Sequence, residues 1–211
     1  MRACVLLGDV VGSRELADRA QFRERLRSAC RVVNRSCDDA VLAPATPLKG
    51  VDELGVVFDG RRATYGIAAT LLGGVHPVEV RFGVAEGRID VGETSADVTA
   101  MDGPAFHRAD ELVESARANG LLFDADFGDP TLDRAIADEI NLLLDRRADL
   151  TERQLEYVQA YERRGTQTAA AEALGVTQQS VSKELRQAGW PFVREIEGRL
   201  AETLEQYTDG R

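Results

Sequence analysis

The sequence predicts an α/β (α+β) domain followed by an all-α domain, and three observations lead there. Short apolar runs alternate with longer amphipathic stretches over roughly the first 125 residues, the pattern of strands interleaved with helices. After Pro130 the composition shifts to leucine-striped amphipathic sequence, and no strand candidate follows it. A chain of 211 residues has room for a medium domain plus a small one. The expected division is residues 1–128 for the α/β domain, 129–148 for a linking helix and 149–211 for the helical domain.

Taken in order, residues 3–11 form an apolar run stopped by Gly12-Ser13, as in a strand buried on both faces. Leu16, Phe22, Leu26, Ala29, Val33 and Cys37 then recur at mostly three- and four-residue spacing, which predicts a helix within 15–40. Pro44 and Pro47 open an extended region, and Val51 to Phe58 reads as a strand. Tyr65 to Leu72 reads as a helix ended by Gly73-Gly74, and 78–84 as a strand with alternating faces. Beyond Asp102-Gly103-Pro104, Ala105 to Ala118 is helical and Leu121-Leu122-Phe123 a last strand. Leu132, Ile136, Ile140, Leu143 and Leu144 stripe a helix running to Arg147. Trp190-Pro191 breaks the helical pattern, and Phe192 to Tyr207 starts a helix with Ile196, Leu200 and Leu204 four apart. That apolar edge packs on its own chain or pairs with a second copy as a homodimer.

Composition narrows the function classes. The net charge is -10, and Lys49 and Lys183 are the only lysines. Such an acidic, lysine-poor surface suits a salt-rich, halophilic cytoplasm, although a GC-rich genome also replaces Lys by Arg. It disfavours nonspecific nucleic-acid binding without excluding a local basic surface. No apolar run reaches the roughly 20 residues of a membrane helix, and Asp9 arrives before a signal-peptide core forms, so a cytoplasmic protein is expected. Three cysteines, Cys4, Cys30 and Cys37, and two histidines, His76 and His107, offer neither a disulfide framework nor a zinc-ligand spacing. Cys30 and Cys37 fall on the apolar side of the first helix as core residues.

The clearest motif runs from Gln167 to Leu185. Ala171 is small where two helices cross, Gly175 permits a left-handed turn, and Leu174, Val176, Val181 and Leu185 supply a shared core. Thr177 caps the second helix, which presents Thr177, Gln178, Gln179, Ser182, Lys183 and Arg186, side chains suited to base edges and phosphates of double-stranded DNA. Glu184 is the one acid among them. This segment resembles the helix-turn-helix of bacterial and archaeal transcription regulators, and Leu150-Thr151-Glu152-Arg153-Gln154 looks like the start of a sigma-region-4-like domain. The alternatives are a hairpin that merely packs and one that binds protein.

In the first half, Asp9 and Asp52 lie at a strand end and a turn. Paired hard oxygens beside a Gly-rich turn can hold a phosphate-bound magnesium, and the alternative is two solvated loop acids. Ser13 and Arg14, at an expected helix N-terminus, are candidates to hold a ligand phosphate. His107 is either a ligand contact or an ordinary surface or core residue.

Gly8-Asp9-Val10-Val11-Gly12-Ser13-Arg14, Asp52-Glu53 before a strand ending at Phe58, 81–87 and Asp102 to Ala109 together resemble the SatD family, itself similar to the ferredoxin-like palm of class III nucleotidyl cyclases. The resemblance spans about residues 3–125. It implies a βαββαβ core with Asp9 and Asp52 at the cyclase metal-ligand positions. Val51 stands where cyclases carry Gly. His107 and Glu111 stand where they carry the Asn and Arg that orient ribose and stabilise the transferring phosphate, with Arg108 and Arg117 as cations able to replace the latter. The expected function is a DNA-binding transcription regulator whose α/β domain senses a nucleotide-type ligand or mediates dimerisation. The alternatives are a metal-dependent nucleotide-processing enzyme using Asp9 and Asp52, and a protein-binding scaffold.

Overall fold

A computed structural model of the chain describes residues 1–48, 50 and 52–209, so Lys49 and Val51 lie outside the described residues. Among the described residues, five strands and eight α-helices follow in the order β1 (Arg2–Val10), α1 (Arg19–Ser36), β2 (Val41–Pro47), β3 (Glu53–Phe58), α2 (Thr64–Val75), β4 (Val80–Arg88), α3 (Pro104–Asn119), β5 (Phe123–Asp126), α4 (Pro130–Ala148), α5 (Glu152–Arg164), α6 (Gln167–Leu174), α7 (Gln178–Gln187) and α8 (Trp190–Asp209). The sheet order is β2-β3-β1-β4-β5, with β5 parallel to β4 and the other pairs antiparallel. This is a mixed α/β architecture, and no strand follows β5 among the described residues.

β1 is central, which explains its unbroken apolar run. Cys4, Leu6 and Val10 enter the core shared with α1 and α2, while Ala3 and Val5 face α3. β4 repeats the division: Val80, Phe82 and Val84 join the first core, and Ala85 the second. Gly83 lies under α3, where a Cβ would come within 2.1 Å of the Ala109 carbonyl oxygen, so this backbone approach depends on the missing side chain.

Several boundaries depart from the sequence expectation. β2 contains Pro44 and Pro47, tolerated because it is an edge strand with register shifts against β3. α2 continues through Gly73-Gly74, since a Cβ at Gly74 would lie 2.5 Å from that of Ala29 and α1 packs there. The last strand begins at Phe123, and Trp190 and Pro191 form the first turn of α8 rather than a break, a position where proline is accepted.

The helical half is tied to the sheet. On α4, Asn141 Oδ1 accepts from the Leu122 and Phe123 amides at 2.9 Å each, satisfying the exposed edge at β5. Arg147 is buried, donating to Glu197 at 2.7 Å, Glu162 at 2.8 Å and the Tyr65 hydroxyl at 2.8 Å, with its guanidinium 4.6 Å from the Trp190 ring centroid. Arg61 donates to Glu86 and to the Phe127 and Tyr207 carbonyls. Leu200 and Leu204 are fully buried in the core that also holds Leu6 and Phe58, so α8 packs its apolar edge on its own chain.

Candidate functional site

Two surfaces carry the predicted residues. The first is built by α5, α6 and α7. Thr151 and Gln154 close a capping box at the start of α5. α6 ends at Gly175 with φ 67°, and the Gly175 and Val176 amides return to the Ala171 carbonyl. Thr177 then caps α7, its hydroxyl accepting from the Ser180 amide at 3.1 Å. Val181 and Leu185 are buried against Ala170 and Ala171. Val176, expected in this shared core, is 36% exposed, because the left-handed turn swings it outward. Thr177, Gln178, Gln179, Lys183 and Arg186 are exposed and Ser182 is half-buried.

Two side-chain pairs shape that face. Gln178 Nε2 donates to Gln167 Oε1 at 2.7 Å, joining the starts of α6 and α7. Glu184 turns away from the face and pairs with Arg153 of α5 at 3.2 Å. From Arg163 to Gln187 the chain carries the cations Arg163, Arg164, Lys183 and Arg186 against the acids Glu172 and Glu184, a local reversal of the overall charge.

The second surface lies between β1, β3 and α3. A cleft of about 60 Å³ is lined by Asp9, Glu53, Asp110, Glu114 and Arg117 together with Leu7, Leu54 and Val113. That volume is far below the several hundred Å³ of a usual small-molecule site. A wider hollow of about 350 Å³ lies at the seam of the two halves, among Arg25, His76, Leu155, Glu156 and Gln159.

Asp9 and Asp52 have separate partners. Asp9 stands opposite Glu53 on β3 and Arg81 on β4, and its Oδ2 accepts from Arg117 Nη2 at 2.8 Å. Arg81 Nε is buried there with no hydrogen-bond partner. Asp52 belongs to the start of α1: Arg19 Nη2 reaches it at 3.2 Å, and a hydrogen bond from the Ser13 side chain, followed by the charges of Arg19 and Arg14, holds its carboxyl below the usual range. Among the described residues no three His, Cys, Asp or Glu side chains are grouped to hold a metal ion. With Asp9 bound to Arg117 of α3 and Asp52 to Arg19 of α1, the two carboxylates as they stand offer a magnesium ion no free pair of oxygens.

Ser13 and Arg14 sit in a three-residue 3₁₀ turn, Ser13–Glu15. The N-terminus of α1 is further on, capped by Asp18, so the helix-terminus argument for phosphate at Ser13 and Arg14 does not apply. His107 is exposed on α3, 3.5 Å from Asp102. Glu111 pairs with Arg108 at 2.8 Å, and Arg108 also holds Asp126. Arg117 is thus the cation of α3 that reaches the cleft. Sequence reasoning missed Arg19 and singled out the stretch 81–87 without giving Arg81 a role; the strand register that sets Arg81 opposite Asp9 is what reveals it.

Comparison with known proteins gives one family. Residues 3–195 match the SatD family. No curated protein matches the chain. Among solved structures, a bacterial light-regulated adenylyl cyclase is 12% identical with a TM-score of 0.44, covering 59% of this chain and 43% of its own. A second structure of a bacterial light-regulated adenylyl cyclase is 14% identical with a TM-score of 0.41, covering 59% and 74%. The regulator of polyketide synthase expression from Bifidobacterium adolescentis is 17% identical with a TM-score of 0.29, covering 99% and 87%. This chain therefore spans less than half the length of the first of these structures. With its match running from the first strand into the last helix, the chain belongs to the SatD family.

Proposed function

We propose that the protein is a DNA-binding transcription regulator in which α6 and α7 act as a helix-turn-helix and α7 reads the major groove. The observation that carries this reading is a coincidence: the left-handed turn at Gly175 leads into a helix whose exposed side is polar and basic, while its acid, Glu184, is paired away with Arg153. Gln178, Gln179 and Ser182 are suited to base edges, and Lys183 and Arg186 to phosphates.

In this reading residues 1–128 form the regulatory unit, 129–148 the helix that joins it to the rest, and 149–211 the DNA-binding unit. The strand order β2-β3-β1-β4, with α1 and α2 on one face, supports a ferredoxin-like, cyclase-like βαββαβ core for the first unit. Two roles are open to it, sensing a nucleotide-type ligand and pairing with a second copy. The small, acid-lined cleft at Asp9 disfavours phosphate, which supports the second role. A homodimer would set two α7 helices against half-sites about 34–36 Å apart. A ligand of small-molecule size has room in the hollow beside His76 and Glu156.

Capture of sheared genomic DNA at the native salt concentration tests the reading. A small set of enriched sites is the expected result, and recovery no different from bulk DNA would refute it.

A further inference from the structure

The family resemblance places a divalent metal on Asp9 and Asp52, and the side chains around them place something else there. We propose that arginines of this chain occupy the cation positions, so that Asp9 and Asp52 are the acidic halves of two internal ion pairs and the α/β unit takes no divalent metal. The inference concerns the sheet and α3 and is independent of DNA reading by α7.

Each pair uses both arms of its guanidinium. Arg117 donates one nitrogen to Asp9 at 2.8 Å and the other to Glu114 at 3.1 Å, which ties β1 to the face of α3. Arg19 donates one nitrogen to Asp52 at 3.2 Å and the other to the Ser13 carbonyl at 2.7 Å, which ties the turn before β3 to the segment before α1. Forked donation of this kind fixes geometry as well as charge. A metal ion approaching Asp9 would have to expel Arg117 and would still meet Arg81, directly opposite Asp9 in the register. Magnesium or manganese also needs several oxygens converging on one point. Asp52, whose backbone carbonyl accepts from the Val10 amide at 2.8 Å beside Asp9, has its carboxylate held at the start of α1 by Arg19, so the two carboxylates can share an ion only once the arginines are gone. A guanidinium does not release its proton in proteins, so these pairs persist across the working pH range.

The probe is manganese alone, with no nucleotide, because bound Mn²⁺ is read directly from the loss of the free-ion electron paramagnetic resonance signal. The full chain is titrated as wild type, as Arg19→Ala/Arg117→Ala, and as that double variant carrying Asp9→Asn. The wild type is expected to leave the Mn²⁺ signal unchanged. The double variant, with its carboxylates released, is expected to diminish the signal by saturable binding, and Asp9→Asn to reverse the gain. Saturable binding by the wild type that Asp9→Asn removes would overturn the proposal. So would a folded double variant that binds no better than the wild type. Should circular dichroism show the double variant unfolded, Arg117→Gln and Arg19→Gln, which keep length and lose charge, are read by the same criterion.

Discussion

At the scale of single residues, the strongest constraint is the buried charge at Arg147. Glu197 accepts from it at 2.7 Å and both side chains are nearly inaccessible, so removing the acid leaves a guanidinium in the core without its principal counter-charge. Glu197→Ala should therefore cost about 3–5 kcal/mol in urea unfolding, whereas Arg199→Ala, which breaks an exposed pair with Glu195, should change stability by less than about 1 kcal/mol. Equal losses in the two variants would refute the network's role. The buried thiols make a second claim. Burial pushes Cys4 from 9.0 up to about 12, and Cys30 up to about 11. The folded state then keeps protons that the unfolded chain gives up, so stability is intact below pH 9.0 and falls as pH rises through the window toward the folded values. Comparing unfolding midpoints at about pH 8 and about pH 10 should show a loss in wild type that shrinks in Cys4→Ala/Cys30→Ala. A loss of the same size in both would assign it to other groups.

At the scale of elements, the fit of α3 onto the sheet rests on Gly83. Gly83→Ala drives a methyl group into the Ala109 carbonyl and the Val113 amide, neither of which can yield without moving the helix. It should cost at least about 1–3 kcal/mol, while Gly66→Ala in α2, with no atom within 4 Å, should stabilise by about 0.5–1 kcal/mol. Thermal unfolding of the two variants, expected to shift in opposite directions, checks the claim; a neutral Gly83→Ala would show that α3 is not seated so closely. The order of elements was legible because periodicity and turn residues act locally. Their ends were not, since they depend on partners: α2 passes Gly73-Gly74 because α1 lies against it, and Trp190-Pro191 opens α8 because Trp190 is drawn into the core. The Gly175 turn and the Thr177 cap were readable for the same local reason. The ion pairs at Asp9 and Asp52 were not, because Arg117 lies 108 positions from Asp9 and Arg19 lies 33 from Asp52.

At the scale of the molecule, DNA binding as proposed would have an acidic chain read an acidic polymer. It would do so by confining its attraction to one face, where Glu184 is paired with Arg153 and Lys183 and Arg186 are exposed on α7. The helices beneath are fixed to the sheet through Arg147, Arg61 and Asn141, so the face has a rigid support. The most direct test is selection from a pool of randomised duplexes by the wild type and by Gln179→Ala/Lys183→Ala, both shown to unfold at the same midpoint. The wild type is predicted to enrich a single motif, with the lysine accounting for about one unit of the salt dependence of binding, and the double variant is predicted to enrich none. Absence of any motif with the wild type, or the same motif from both proteins, would contradict the account.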